Sequence, residues 1–289
     1  MSAAEKCKQV PPRCWKAGLT LELSSKGEST VLNKCSHFGP LRVQRPFYPS
    51  DRKECHLYLL HPPGGLVSGD ELVMDVTVGE SGHGLFTTPS AGKFYKGDHS
   101  LLPQVQRVDF YVKEDAVGEW LPQETIFFDG ARGQLDTRVS LDKGANAVVW
   151  DIICLGRPAC NEGFTKGFVQ QRLSVYRKNR PVYLENNRFV AGEPALQSCW
   201  GLHGQPVTGA MVATLPVNNQ KSDATENDWV AEFDHSDALF SVTQVDDLLI
   251  ARYIGPSAVQ CRELFVKLWS QLRPKHIGKN AEIPRIWNT

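Results

Sequence analysis

Apolar and polar residues alternate with a period of two along much of this chain. Leu19, Leu21 and Leu23 are separated by Thr20 and Glu22, and Val108, Phe110 and Val112 by Asp109 and Tyr111. Leu135, Thr137, Val139 and Leu141 repeat the pattern. A period of two sends alternate side chains to opposite faces of a strand. Gly, Pro, Asn and Asp recur between the runs, which separates many short strands. The pattern predicts a mainly β fold of antiparallel strands. "FSVTQV" and "LLIARYI" flank Asp246-Asp247, and Asp tolerates the left-handed region, so a two-residue hairpin is expected there.

One stretch changes period. Residues 257–272, "SAVQCRELFVKLWSQL", place Ala258, Cys261, Leu264, Phe265, Leu268, Trp269 and Leu272 on one stripe of a helix. Ser257 and Gln260 fit a capping box, and Arg273-Pro274 supply a cationic end and a stop. Residues 218–228, "NNQKSDATEND", are uniformly polar and are expected to form a surface loop. The first fourteen residues read as a flexible tail. No internal repeat is visible. The expectation is a single β-rich domain over residues 15–289, ending in one helix.

Composition narrows the functional classes. The chain has 289 residues, with 32 Lys+Arg against 32 Asp+Glu, so its formal net charge is zero. No basic field invites nucleic acid or an anionic membrane. No apolar run approaches the roughly 18 residues of a membrane span, and the N-terminus lacks the apolar centre of a secretory signal. The eight cysteines are scattered without a CxxC pair, which suits reduced thiols in a cytoplasmic protein better than a zinc ribbon or a disulfide scaffold.

Chemistry concentrates in carboxylates. "LLHPPGGLVSGDEL", residues 59–72, ends an apolar run at His61, turns through Pro62-Pro63-Gly64-Gly65, and presents Asp70 and Glu71 together. Its glycines match neither GxGxxG nor GxxxxGK[ST], so a phosphate cradle is poorly supported. GxSxG and HExxH are both missing, and Cys55 and His56, adjacent on a strand, face opposite ways. Asp151 interrupts the apolar "VVWDIICLG"; a charge there must be paired, hydrogen-bonded or hydrated. Two readings stay open for it: an ion pair with Arg157, or an inward acid on a watery cavity. Glu185 ends "RPVYLE" in a similar setting, and Glu124 and Asp129 bracket "TIFF". Paired acids such as Asp70 and Glu124 would serve a hydrolase only if they faced each other across a cleft.

Six collinear blocks carry a resemblance. "HFGPLRVQRPFYPS", "CHLYLLHPPGGLVSGDEL", "SAGKFYK", "WLPQETIFFDGA", "WDIICLGRPACNEGF" and the terminal "LRP…PRIWNT" resemble the UreD (UreH) family of urease accessory proteins over roughly residues 15 to 289. The resemblance implies a non-enzymatic β scaffold with strands in a helical layout. It implies partners: a helical UreF-like protein, a UreG-like GTPase recruited through it, and apo-urease. It also implies nickel in transit through an internal tunnel, with the metal-path positions falling on Asp70, Glu71, Asp151 and Glu185. Ser68 departs from the family pattern, where glycine is usual, and is expected to need only a small backbone adjustment. A purely structural adaptor without metal contact is the rival reading.

Overall fold

A computed structural model describes residues 14–215 and 237–288. The chain begins with β1 (Lys16–Lys26), β2 (Ser29–Phe38), β3 (Arg42–Val43), β4 (Glu54–Leu60), β5 (Glu71–Val78) and β6 (His83–Thr87). There follow β7 (Gly92–Phe94), β8 (Gln104–Val112), β9 (Val117–Trp120), β10 (Thr125–Phe127), β11 (Arg132–Leu141) and β12 (Asn146–Leu155). The remainder comprises β13 (Phe168–Arg177), β14 (Arg180–Val190), β15 (Val207–Thr214), β16 (Leu239–Val245), β17 (Leu248–Gly255) and helix α1 (Ala258–Ile277).

From β4 to β13 the chain passes back and forth between two sheets, with β7 and β10 joining the sheet of β6, β9 and β12. One has the order β14-β13-β11-β8-β5-β1-β2 and the other β16-β17-β15-β12-β9-β6-β4-β3. β5, β8, β11 and β13 stack in parallel on one side, and β4, β6, β9 and β12 in parallel on the other. The result is a flattened coil whose turns are rungs, with antiparallel strands added at its ends.

The mainly β class with one C-terminal helix therefore holds, in sheets of mixed strand sense. Antiparallel pairing covers the ends, including the hairpin at Asp246-Asp247, where Val245 faces Leu248 and Asp246 is left-handed. The centre is parallel. Alternation reports which face a residue occupies and is blind to strand direction. The rungs are also a structural repeat that sequence comparison along the chain misses. Glu54, His83, Val117 and Asn146 occupy one column, yet their spacings are unequal and their residue types differ.

Prolines bend the rungs. Pro62-Pro63, Pro89 and Pro122 fall just after β4, β6 and β9, where a missing N–H ends the ladder. After each bend a buried apolar residue returns to the core, giving a stack of Leu66, Phe94, Phe127 and Leu155. The Phe94 and Phe127 rings lie 4.5 Å apart. Gly64 and Gly65 serve this geometry: Gly64 has φ +81°, and a Cβ on Gly65 would sit 2.5 Å from the Tyr95 ring and 2.8 Å from the Lys93 carbonyl.

Between the sheets lies the larger core, which includes Leu21, Val76, Phe110, Val139 and Leu173. The second core forms outside the β15-β12 sheet, where α1 buries its predicted stripe against Trp150, Met211 and Tyr253. Ser257 caps the helix by accepting from the Gln260 N–H at 3.3 Å. The Gln260 side chain turns instead to the Tyr253 hydroxyl and to Asp237, so only half of a capping box forms. The helix also passes through Pro274 and ends at a left-handed Gly278. Arg273 lies inside it, buried, and its role is a different one from the expected dipole complement. The expected flexible tail (1–13 of its fourteen residues) and the polar loop at 218–228 lie outside the described residues.

Candidate functional site: a polar thread through the core

Asp151 sits on β12 with its side chain between the sheets and is 5% exposed. It stands opposite the bend at Pro122, whose carbonyl accepts from Trp150 Nε1 at 2.7 Å. Among the described residues no guanidinium reaches it. Thr137 Oγ1 donates to Oδ1 at 3.4 Å and Gln171 Nε2 to Oδ2 at 3.3 Å, both from the facing sheet. Arg157, the partner anticipated for it, pairs with Glu162 instead. With only neutral donors, burial pushes the carboxyl of Asp151 up to about 7, and the Glu185 charge adds to the effect.

The network continues to Glu185. Asn187 Nδ2 donates to Gln171 Oε1 at 2.9 Å and to Glu185 Oε1 at 2.7 Å. Tyr183 donates its hydroxyl to Glu185 Oε2, and Arg252 closes the end with a guanidinium 3.0 Å from the same carboxylate. Asp151 and Glu185 are thus brought together, through two amides.

Asp70 and Glu71 lie elsewhere. Glu71 and Glu185 are four strand steps apart across one sheet, β5 to β14, and offset by three residues along the strands, about 22 Å at roughly 4.8 Å per step and 3.3 Å per residue. Asp70 is 8% exposed, and its carboxylate ties the loop by accepting from the Val67 N–H at 2.9 Å and the Trp15 N–H at 3.3 Å. Glu71 meets Lys16 at 3.3 Å near the surface. Ser68, the family departure, accepts from the Asp98 N–H at 2.8 Å and so joins this loop to the next rung. His61 is held in its uncharged form by burial, against the pull of Asp70.

Side chains between these ends form a line. Register places Leu72, Gln106, Leu135, Gln171 and Asn187 in one inward column, and Met74, Val108, Thr137, Leu173 and Glu185 in the next. Gln106 lines a cavity of about 90 Å³ with His61, Met74 and Trp120, room for a few waters. Asp70 lines a larger pocket, about 560 Å³, with Trp15 and Tyr95. Gln106 and the network from Asp151 to Glu185 thus form an interrupted polar thread in an otherwise apolar interior, with Leu135 standing between Gln106 and Gln171. The paired-acid hydrolase geometry is not met, because Glu124 is held by Arg262 at 3.0 Å while Asp70 is tied into its own loop.

A second buried cluster escaped the sequence reading. Glu54, His56, His83 and Glu119 gather on the outer face of β4, β6 and β9, and Arg273 of α1 drops among them. Its guanidinium is 2.9 Å from Glu119 Oε2, bonds Glu54, and donates to the Asn280 carbonyl at 2.8 Å. Trp269 Nε1 donates to Glu119 at 2.7 Å. Burial alone would raise Glu119, but Arg273 and His83 outweigh it and hold the carboxyl well below its ordinary range. Ligand atoms of Glu54, His83 and Glu119 lie within 4.8 Å of one another, and the arginine already supplies their counter-charge. The signal was present: Glu54 and His56 share a face of the apolar run "ECHLYLL", and Glu119 interrupts "AVGEWL" as Asp151 interrupts its own strand. Burial pushes the Cys55 thiol up to about 11 and that of Cys154 up to about 12.

Fold and site together define a two-sheeted β-coil with an interrupted polar thread in its core. Residues 16–288 match the family model described as UreD urease accessory protein, and the chain belongs to that family. It is 42% identical to the urease accessory protein UreD of Saccharophagus degradans over 282 residues, 98% of this chain and 96% of that one. It is 41% identical to UreD of Dechloromonas aromatica, with 95% of each chain covered. It is 39% identical to UreD 2 of Brucella anthropi, covering 95% of this chain and 98% of the relative. The chain is accordingly an accessory protein of urease and not an enzyme. Among the described residues no helix is long and apolar enough to cross a membrane.

Proposed function

We propose that this chain is a cytoplasmic scaffold for urease maturation that passes nickel along its polar thread to apo-urease. The supporting observation is the thread itself: Gln106, Thr137, Asp151, Gln171, Asn187 and Glu185 project inward from successive strands. Asp70 stands toward one end of it, with Glu71 beside it on the outer face of β5, and Glu185 at the other. Nickel is held strongly by imidazole or thiolate cages. Conduction needs several weak sites in series, which separated carboxylates and amides with water provide. Because the Asp151 carboxyl titrates at about 7, it is half protonated near neutrality, and an entering divalent cation displaces a proton rather than a tethered cation.

Exposed apolar side chains fall at the two ends of the thread. Trp15, Val67 and Leu101 are exposed near the Asp70 loop, and Leu184 next to Glu185. Such patches mark interaction surfaces. They support a bridging role between a UreF-like helical protein, with a UreG-like GTPase recruited through it, and apo-urease.

The test is urease nickel content in cells co-expressing urease and all its accessory proteins. Asp151→Asn with Glu185→Gln keeps shape and removes both charges. The complex should still co-purify while nickel per urease falls to a small fraction. Full nickel loading in the double variant would reduce this chain to an adaptor.

A further inference from the structure

Arg252 has a place in the network that the conduit alone does not require. It lies on β17 in the inward row Asp151, Ala210, Arg252, one residue from each of three neighbouring strands. That puts its backbone about 10 Å from Asp151, two strand steps of roughly 4.8 Å. Ala210 between them carries only a methyl group. The guanidinium leans across to the other sheet, 3.0 Å from Glu185 Oε2 and 3.2 Å from the Tyr183 hydroxyl. The two partners differ in exposure. The Glu185 side chain is 11% exposed and held by Asn187 and Tyr183, whereas that of Arg252 is 57% exposed on a long flexible stem.

We infer that Arg252 is a tethered competitor cation that limits how long a divalent ion stays at Glu185. This rests on the conduit reading above and concerns its last carboxylate. Glu185 is a carboxylate fixed by the Asn187 amide N–H and the Tyr183 hydroxyl, and left open its oxygens would hold a divalent ion. The guanidinium carries one positive charge and a planar fork suited to a carboxylate. An arriving ion must push it outward into solvent, where that long side chain is readily hydrated. When the ion moves on, the fork returns. The carboxylate is never left unpaired, and the ion is never left unopposed. Arg252 touches no metal in this scheme once the ion is seated; it is a positioning residue that sets residence time.

The test uses the purified full chain and Ni²⁺ alone, measured by equilibrium dialysis and by the rate of transfer to a colorimetric chelator. Arg252→Gln should bind Ni²⁺ about tenfold more tightly, the scale of one charge-assisted bond, and release it correspondingly more slowly. Adding Glu185→Gln should abolish that gain. Arg252→Lys keeps the charge without the fork and should fall between. Thermal melts within a few degrees of the parent would establish that each variant folds. Unchanged or weaker Ni²⁺ binding in a folded Arg252→Gln overturns the competitor role. Should Asp151→Asn meanwhile lower urease nickel loading, the conduit survives that failure. If it does not, both readings fall together.

Discussion

Replacing Arg273 by Met tests how the C-terminal helix is fastened to the coil. In the native chain Arg273 is 1% exposed and serves two carboxylates, Glu54 and Glu119, each also 1% exposed at the side chain. Met fills a similar volume but leaves both acids facing an apolar neighbour, with only His56, His83 and Trp269 near them. Removing one partner of a buried pair costs about 3–5 kcal/mol, and two orphaned acids place this case toward the top of that range. At about 2–4 °C per kcal/mol, Arg273→Met should lower the melting temperature by roughly 10 °C or more. Tryptophan fluorescence at pH 7 reads this directly, since Trp269 lies against the cluster. The gap should narrow on acidification. Glu54 and Glu119 titrate below their ordinary range, so the stability they bring is present above the unfolded value of 4.5 and is lost as pH falls through their lower folded values. Converting both acids to Gln alongside Arg273→Met should recover much of the loss, because a neutral cluster no longer buries uncompensated charge. A drop of only about 2 °C in the single variant would mean a well-hydrated pair, and the fastening argument would fail.

Asp151 makes the opposite prediction. Its folded pKa, about 7, exceeds the unfolded 3.8, so stability linked to its proton is full below pH 3.8, declines as pH rises, and is gone above about 7. Asp151→Asn should therefore flatten the stability profile between those limits and be at least as stable as the parent at pH 8; a less stable variant there would show that the carboxylate is compensated. Trp287 donates to Thr87 Oγ1 at 2.7 Å and packs on Trp150 and Trp269 at ring distances of 5.9 and 6.1 Å. Trp287 is partly buried, so Trp287→Ala should cost about 3 kcal/mol, the low end of the range for tryptophan truncation; an unchanged urea midpoint would show the C-terminal segment to be undocked in solution.

The strands, the 246–247 hairpin and the helix stripe were legible because each depends on local periodicity. Strand direction and rung stacking were not, since a period of two is the same in parallel and antiparallel sheets and the bends make rung lengths unequal. Asp151 was legible as a buried acid, but its partners were not. Thr137 and Gln171 lie 14 and 20 residues away on the facing sheet, and nothing local predicts that they, rather than Arg157, are within reach. Arg273 was misread for the same reason. Beside a proline at the end of an apolar stripe it looked like a helix terminus, whereas its meaning comes from Glu119 and Glu54, 154 and 219 residues earlier.

That last separation bears on how the molecule is made. Chain growth at about 5–20 residues per second leaves Glu54 waiting roughly 10–40 s for Arg273 to emerge from the ribosome. During that interval the first rung exists with its acids exposed and its outer face bare. Until Arg273 arrives, the outer face of β4, β6 and β9 lacks the helix that covers it in the folded molecule.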